Sequence, residues 1–363
     1  MPSVDVIGRI EGSIQNGGWK AEGTVLGDAD RLRFYQQIGV WFDAYLGNGW
    51  ENLPRHAFRG HLYPDNWTKT FQSSNAPFTA STAQEFLKRD TSEIQGIFYK
   101  HVASSPGNRH QIINMSYAKI IYEMFGGHSN LMYPTEAATY DGQLWSGAFD
   151  TVTWIEGFVT LDIDLANSSA VDNYTIKNGN IWQRMQDIAN IDFYLIYLDK
   201  FNKLHYVPHP MFQATLPTAV FTITSAHLLA PLEFARRNTE AVGQVKLFGA
   251  TPQGLQISGK YPADPTAGPT ISKSDYLATS SALMTTIATR MYKFENRDYT
   301  VTAKLPGAVG LLLDLLDRVA ITYTSSGDGI TWSGKKFWIN KIIVDVMSDF
   351  NAMTTLVMDA EAA

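Results

Sequence analysis

The feature that most constrains this chain is a set of alternating runs near its end, residues 305–359. In 318–323, Val319, Ile321 and Tyr323 fall on one face and Arg318, Ala320 and Thr322 on the other. Successive strand side chains point to opposite sides of a sheet, so a period of two puts one face into a core. A polar stretch, 324–334, carries Gly327, Gly329 and Gly334; a second run follows at 337–347 and a third at 354–359. Strand, glycine turn, strand, turn, strand predicts an antiparallel meander. No position in it looks chemically reactive. The organising element is scaffold.

Composition narrows what the rest can add. At 363 residues the chain has room for two or three domains, each with its own core. Charged residues make up only 18%, and the 12% aromatic content includes 9 Trp and 17 Tyr, which suits strands and subunit contacts. The net charge of −6 comes with scattered Lys and Arg, so the basic stripe that binds nucleic acid by counterion release is missing. With no cysteine, disulfides and thiolate metal sites are excluded. The first residues show no basic-then-apolar leader, and no apolar run approaches the ~20 residues of a membrane helix, so a soluble chain made in a cytoplasm is expected.

Along the chain, residues 1–16 read as a short arm punctuated by Gly8, Gly12 and Gly17–Gly18. Strands are predicted at 20–26, 34–46 and 57–63, with another in 68–78 and a short helix at 83–88. Helical spacing marks 112–125 and 181–189. The second of these leads into a strand at 192–198, a turn at 199–203 and a return strand at 204–207. Strand texture resumes over 241–260, a proline-rich exposed loop spans 261–272, and an apolar stripe predicts a helix over 276–292. The expected fold is α+β and mainly β, with a β-barrel at 1–85, a mixed middle domain at 86–238 and a second barrel with a buttressing helix at 239–363.

No constellation carries catalysis. His205 and His209, four apart on a strand, would lie ~13 Å from each other and lack a third metal ligand. Asp162 and Asp164, preceded by Asp150 and Glu156, share a strand face as the paired carboxylates of glycoside hydrolysis do. A polar strand face in an acidic protein explains the same residues more cheaply. The 325–329 loop has neither the calcium-loop oxygens nor the Gly-Lys-Ser/Thr ending of a phosphate loop. Catalytic, cofactor and metal residues are therefore assigned to none.

Several patterns, in order, resemble the baseplate or tail-tip hub proteins of tailed phages. Leu305-Pro306-Gly307, then Leu316-Asp317-Arg318-Val319, the glycine-rich tip and 337–344 resemble that family's C-terminal barrel. The helix Ile181-Trp182-Gln183-Arg184-Met185 with the 199–203 turn resembles its helix-and-hairpin unit, and Phe58-Arg59-Gly60 its first barrel. The resemblance implies a fold of two antiparallel tube-protein-like barrels flanking the middle domain, and a structural, non-enzymatic virion protein at the tail tip.

It also implies a homotrimer whose six barrels match a sixfold tail tube to a threefold spike or fibre. The tube or distal tail protein, the spike or fibre and the tape-measure protein would be its partners, with DNA as passing cargo. Interface candidates are Ser325, Ser326, Asp328, Thr331, Trp332 and Lys335, with the 261–272 loop. The competing expectation is a carbohydrate-binding or polysaccharide-degrading tail-associated protein.

Overall fold

The computed structural model describes residues 6–25, 37–42, 55–62, 76–89, 111–112, 115–118, 120–121, 160–163, 170–171, 174–175, 180–213, 215–236, 241–250, 255–277, 280–325, 327, 329–346 and 352–361. Strands dominate. The N-terminal set is β1 (Val6–Ser13), β2 (Gly18–Val25), β3 (Gln37–Phe42), β4 (Arg55–Leu62) and β5 (Ala76–Ser81), closed by helix α1 (Gln84–Arg89). Short strands follow: β6 (Gln111–Ile112), β7 (Met115–Ser116), β8 (Thr160–Ile163), β9 (Ala170–Val171) and β10 (Tyr174–Thr175). Helix α2 (Ile181–Asp192) runs into the hairpin β11 (Tyr194–Leu198) and β12 (Lys203–Pro208). Then come β13 (Phe221–Thr224), β14 (Glu233–Arg236), β15 (Gln244–Ala250), β16 (Gln256–Tyr261), β17 (Thr270–Leu277) and helix α3 (Ser281–Glu295). The chain closes with β18 (Tyr299–Pro306), β19 (Arg318–Thr324), β20 (Thr331–Val346) and β21 (Ala352–Ala360).

The 16-residue β20 is the axis of the main sheet. One of its edges carries β21; the other carries β19 along residues 331–338 and then β1 along 341–345. From β1 the sheet continues through β2, β5 and β4 to β3, and from β21 through β18 to β14. A strand this long must keep apolar side chains on one face past a change of partner. It does so with a bulge between Ile339 and Lys341. Phe337 and Ile339 before it, and Ile342 and Val344 after it, all enter the same core, because the extra residue shifts the side-chain phase by one.

Two expectations change here. Of residues 1–16, read from the sequence as an arm, Val6–Ser13 form β1, which lies between β2 and β20 with Ile10 fully buried; residues 1–5 lie outside the described residues. Residues 221–236, grouped with the middle region in the sequence, pair instead with the C-terminal strands, β13 with β19 and β14 with β18. The pairing is mostly antiparallel, with parallel exceptions at β8–β12, β13–β19 and β15–β17.

Two smaller cores adjoin the sheet. In one, Ile181, Met185, Ile188 and Ala189 of α2 pack with Leu87, Tyr117, Ile120 and Ile121 against the β11–β12 hairpin. Asn180 caps α2 by accepting from Gln183 N–H at 2.9 Å, and Phe193, at φ 55°, ends it. Of the helix expected over 112–125, residues 117, 118, 120 and 121 are helical, Gln111–Ile112 and Met115–Ser116 are strand, and 122–125 lie outside the described residues. In the other core, α3 covers the sheet β16–β15–β17 with Met284, Ile287, Ala288 and Met291. This helix starts at Ser281, five residues later than the sequence predicts, because Tyr276 and Leu277 extend β17 along β15 and Ser280 supplies the cap.

Candidate assembly surface

The hairpin between β19 and β20 holds the residues singled out from the sequence. Ser325 N–H donates to the Ile330 carbonyl at 2.9 Å and Gly327 N–H to Ser325 Oγ at 3.3 Å, while Thr331 lies opposite Thr324. Thr331, Gly327 and Gly329 are exposed and Ser325 is half-buried at this end of the hairpin. Ser326 and Asp328 lie outside the described residues. Below the tip, two residues, Ser333 and Gly334, bulge against Thr322 alone. Gly334 makes this possible at φ 65°, its N–H donating to Thr322 Oγ1 at 3.0 Å.

On either side of that bulge the candidates turn inward. Trp332 is only 8% exposed and meets Phe337 at 5.2 Å, Tyr299 at 5.7 Å and Phe234 at 5.9 Å between ring centroids. Lys335 Nζ lies 3.1 Å from Asp298 and over the Tyr299 ring at 4.8 Å. Both side chains pack within the chain itself. Of the 261–272 loop, residues 263–269 are exposed as expected, whereas Thr270–Ser272 already belong to β17.

The polar residues weighed for catalysis are engaged in structure. His205 stacks on Tyr197 at 4.7 Å, with Nδ1 2.9 Å from Asp162 and Nε2 3.3 Å from Asp199. Asp162 also meets Lys203 at 3.2 Å; Asp164, Asp150 and Glu156 fall outside the described residues. Asp199 organises the hairpin turn by accepting from Phe201 N–H and Lys203 N–H, each at 2.9 Å. Burial pushes its carboxyl up, and the hydrogen bonds from His205 and the two amides outweigh burial and hold it below the usual carboxylate range. His209 is apart from His205: it caps a 3-10 turn by accepting from Met211 N–H at 3.1 Å, and burial pushes it down to about 3. Among the described residues no group of three His, Cys, Asp or Glu side chains is placed to hold a metal ion.

Two buried charged contacts had no signal in the sequence. Lys200, 6% exposed, donates from Nζ to the carbonyls of Leu311 at 2.8 Å and Leu313 at 2.9 Å, tying the hairpin turn to the segment before β19. Burial lowers this amine and pushes nearby Asp314 up to about 6. Arg297 pairs with Asp359 beneath α3, and Asp359 also accepts from Thr300 Oγ1 at 2.7 Å. Such contacts lock elements together. Among the described residues no helix is long and apolar enough to cross a membrane.

No protein-family model matches the sequence, and no curated relative matches it. Solved structures do. The chain is similar to a tail protein from Neisseria meningitidis MC58, with a TM-score of 0.56 at 12% identity over 97% of this chain and 91% of that one. It is also similar to the 43 kDa tail protein of prophage MuSo2 from Shewanella oneidensis, with a TM-score of 0.54 at 12% identity over 97% and 93% of the two chains. At this identity the likeness is one of fold. The fold, mainly β with large antiparallel sheets, is that of these phage tail proteins.

Proposed function

We propose that this chain is a structural virion protein: a trimeric baseplate or tail-tip hub that joins a sixfold tail tube to a threefold spike or fibre around a channel for the genome. The observation that carries the proposal is the near end-to-end match of its fold to phage tail proteins, 97% of this chain against 91% of the first. Its chemistry is in keeping. The polar clusters built from the described residues hold turns and seams, and the charged content is only 18%. Obligate contacts between subunits are depleted in charge at their centres. Edge strands β3, β13 and β14 each pair on one side only among the described residues, which leaves backbone groups for a neighbour to complete.

In this reading the exposed tip at Ser325 and Thr331, with Ser326 and Asp328 of the same loop, contacts an adjacent subunit or the tube, and Trp332 and Lys335 stiffen the hairpin behind it. Three such subunits would present the tube protein, the spike or fibre and the tape-measure protein with a ring, and DNA would pass without being bound. The test is the mass in solution by light scattering. A particle of three times the 40.4 kDa chain is expected, alone or on mixing with tail-tube protein. A chain that stays monomeric at high concentration in both cases overturns the proposal.

A further inference from the structure

From Leu204 to Leu232 the chain has no Asp, Glu, Lys or Arg, the longest such run in a sequence that is 18% charged. Burial explains the first part, where Leu204, Tyr206, His209 and Met211 lie inside. It does not explain residues 215–232. Of these only Ile223 and Leu232 are buried, and they pin the segment to the main core. Val220, 59% exposed, and Leu229, 55% exposed, turn outward. Exposed chain ordinarily carries ions, and this stretch presents apolar side chains in their place.

The sheet holds this segment at both ends. The Arg318 carbonyl accepts from Val220 N–H and Arg318 Nη1 donates to the Pro217 carbonyl, each at 2.8 Å. β13 then runs parallel to β19, and Leu229 N–H reaches the Lys304 carbonyl at 2.8 Å before β14 joins β18. Among the described residues no strand lies along the outer edge of β13. Natural edge strands are guarded by charge, as β14 is by Glu233, which pairs with Lys304 at 2.9 Å. Phe221-Thr222-Ile223-Thr224 has no such guard; its aromatic and β-branched residues suit a strand with a neighbour. Thr224 stands opposite Thr322 at the base of the β19–β20 hairpin, so this edge continues into the tip assigned above to an adjacent subunit or the tube.

We infer that residues 215–232 dock on a second copy of this chain, burying Val220 and Leu229 and covering the open edge of β13. This contact rests on the ring-building function proposed above and names the surface that joins the copies. In a ring the joint is head-to-tail, so the segment meets a different surface of the next copy. Contacts between identical chains are more apolar than the rest of a protein surface, whereas contacts with changing partners are not. A charge-free, apolar face therefore suits a permanent joint. A lipid surface fits less well, because binding to it draws on Lys and Arg beside the apolar residues, and the run has neither.

Sedimentation equilibrium of the full chain tests this, alone and mixed with tail-tube protein, with V220K/L229K beside wild type. Both positions are exposed, so the variant is expected to keep the near-ultraviolet signal of packed aromatics. Its lysines would be buried unpaired in the contact, so association should weaken by roughly 100-fold or more. A second readout does not depend on that variant's folding. The chain has no cysteine, so Val220→Cys supplies a single thiol, which should react with a maleimide far more slowly in the oligomer than in the dilute monomer. A folded V220K/L229K that stays oligomeric, or a thiol equally reactive in both states, overturns this contact and leaves the hub proposal standing. A wild-type chain that remains monomeric, alone and with tube protein, overturns both. Binding of that monomer to phosphatidylcholine vesicles, lost in V220K/L229K, would assign the face to lipid instead.

Discussion

Gly12 and Gly17 have a different task from Gly327, although all three read as loop punctuation in the sequence. A Cβ on Gly12 would lie 2.3 Å from the Trp19 ring, and one on Gly17, at φ 76°, would lie 2.2 Å from that of Trp182. These glycines let two fully buried tryptophans sit against the backbone of β1 and its turn. Around Gly327 nothing lies within 4 Å. Gly12→Ala is therefore expected to cost about 2–3 kcal/mol through overpacking, and Gly327→Ala less than about 0.5 kcal/mol. Urea midpoints compare the two, and equal losses would refute the assignment.

Asp314 gives a pH dependence of defined sign. Burial raises its folded pKa from 3.8 to about 6, so the folded state binds the extra proton. The stability this group supports is complete below pH 3.8 and is lost as pH rises to about 6. Asp314→Asn keeps an acceptor for Leu315 N–H, 2.8 Å away, and cannot ionise. It is expected to exceed wild type by on the order of 2 kcal/mol at pH 7 and to match it in acid, below the unfolded pKa. Denaturation midpoints across that range decide, and a constant offset at every pH would count against it. Neither the burial of Asp314 nor that of Lys200 was legible. Aspartate and lysine read as surface, and the carbonyls that hold Lys200 lie 111 and 113 residues away.

At the scale of elements, the legible parts are those whose periodicity is set by a nearby partner. The α2 helix, the β11–β12 hairpin and the β19–β20 hairpin were all marked by apolar spacing and turn residues within a few positions. The misjudged parts answer to distant ones. Residues of β1 spell Val-Ile-Gly-Arg-Ile-Glu-Gly-Ser, in which glycines and ions hide a central strand. Its Glu11 is buried and tolerated because Arg9 lies 2.7 Å away and Lys341, on β20, 2.8 Å. Similarly, Tyr276 and Leu277 continue the helical stripe of α3 by pattern but are claimed by β15, some 27 positions earlier in register. The assembly candidates divide the same way. Trp332 and Lys335 look like tip residues by spacing, and a single bulge at Gly334 is what sends both toward Tyr299. Spacing can locate a turn. It cannot see a bulge beyond it.

For the whole molecule, the consequence is that the two ends of the chain form one structure. The sequence divides residues 1–85 from 239–363, whereas β1 hydrogen-bonds to β2 on one side and to β20 on the other, five residues in register from Arg9↔Asp345 to Ser13↔Lys341. Ile10 enters the same core as Phe337, Ile342 and Leu356, so the strand joins the sheet in packing as well as in hydrogen bonding. Removing residues 1–16 would open β2 and β20 as new edges at once, strip two ladders of backbone bonds and leave a void where Ile10 sat. An arm could be removed at no cost. The deletion is thus expected to abolish cooperative unfolding and the near-ultraviolet signal of packed aromatics, and to promote aggregation through the exposed edges. A truncated chain that unfolds cooperatively at the wild-type midpoint would mean that the C-terminal strands fold without their N-terminal neighbour, and that the two strand sets are separate after all.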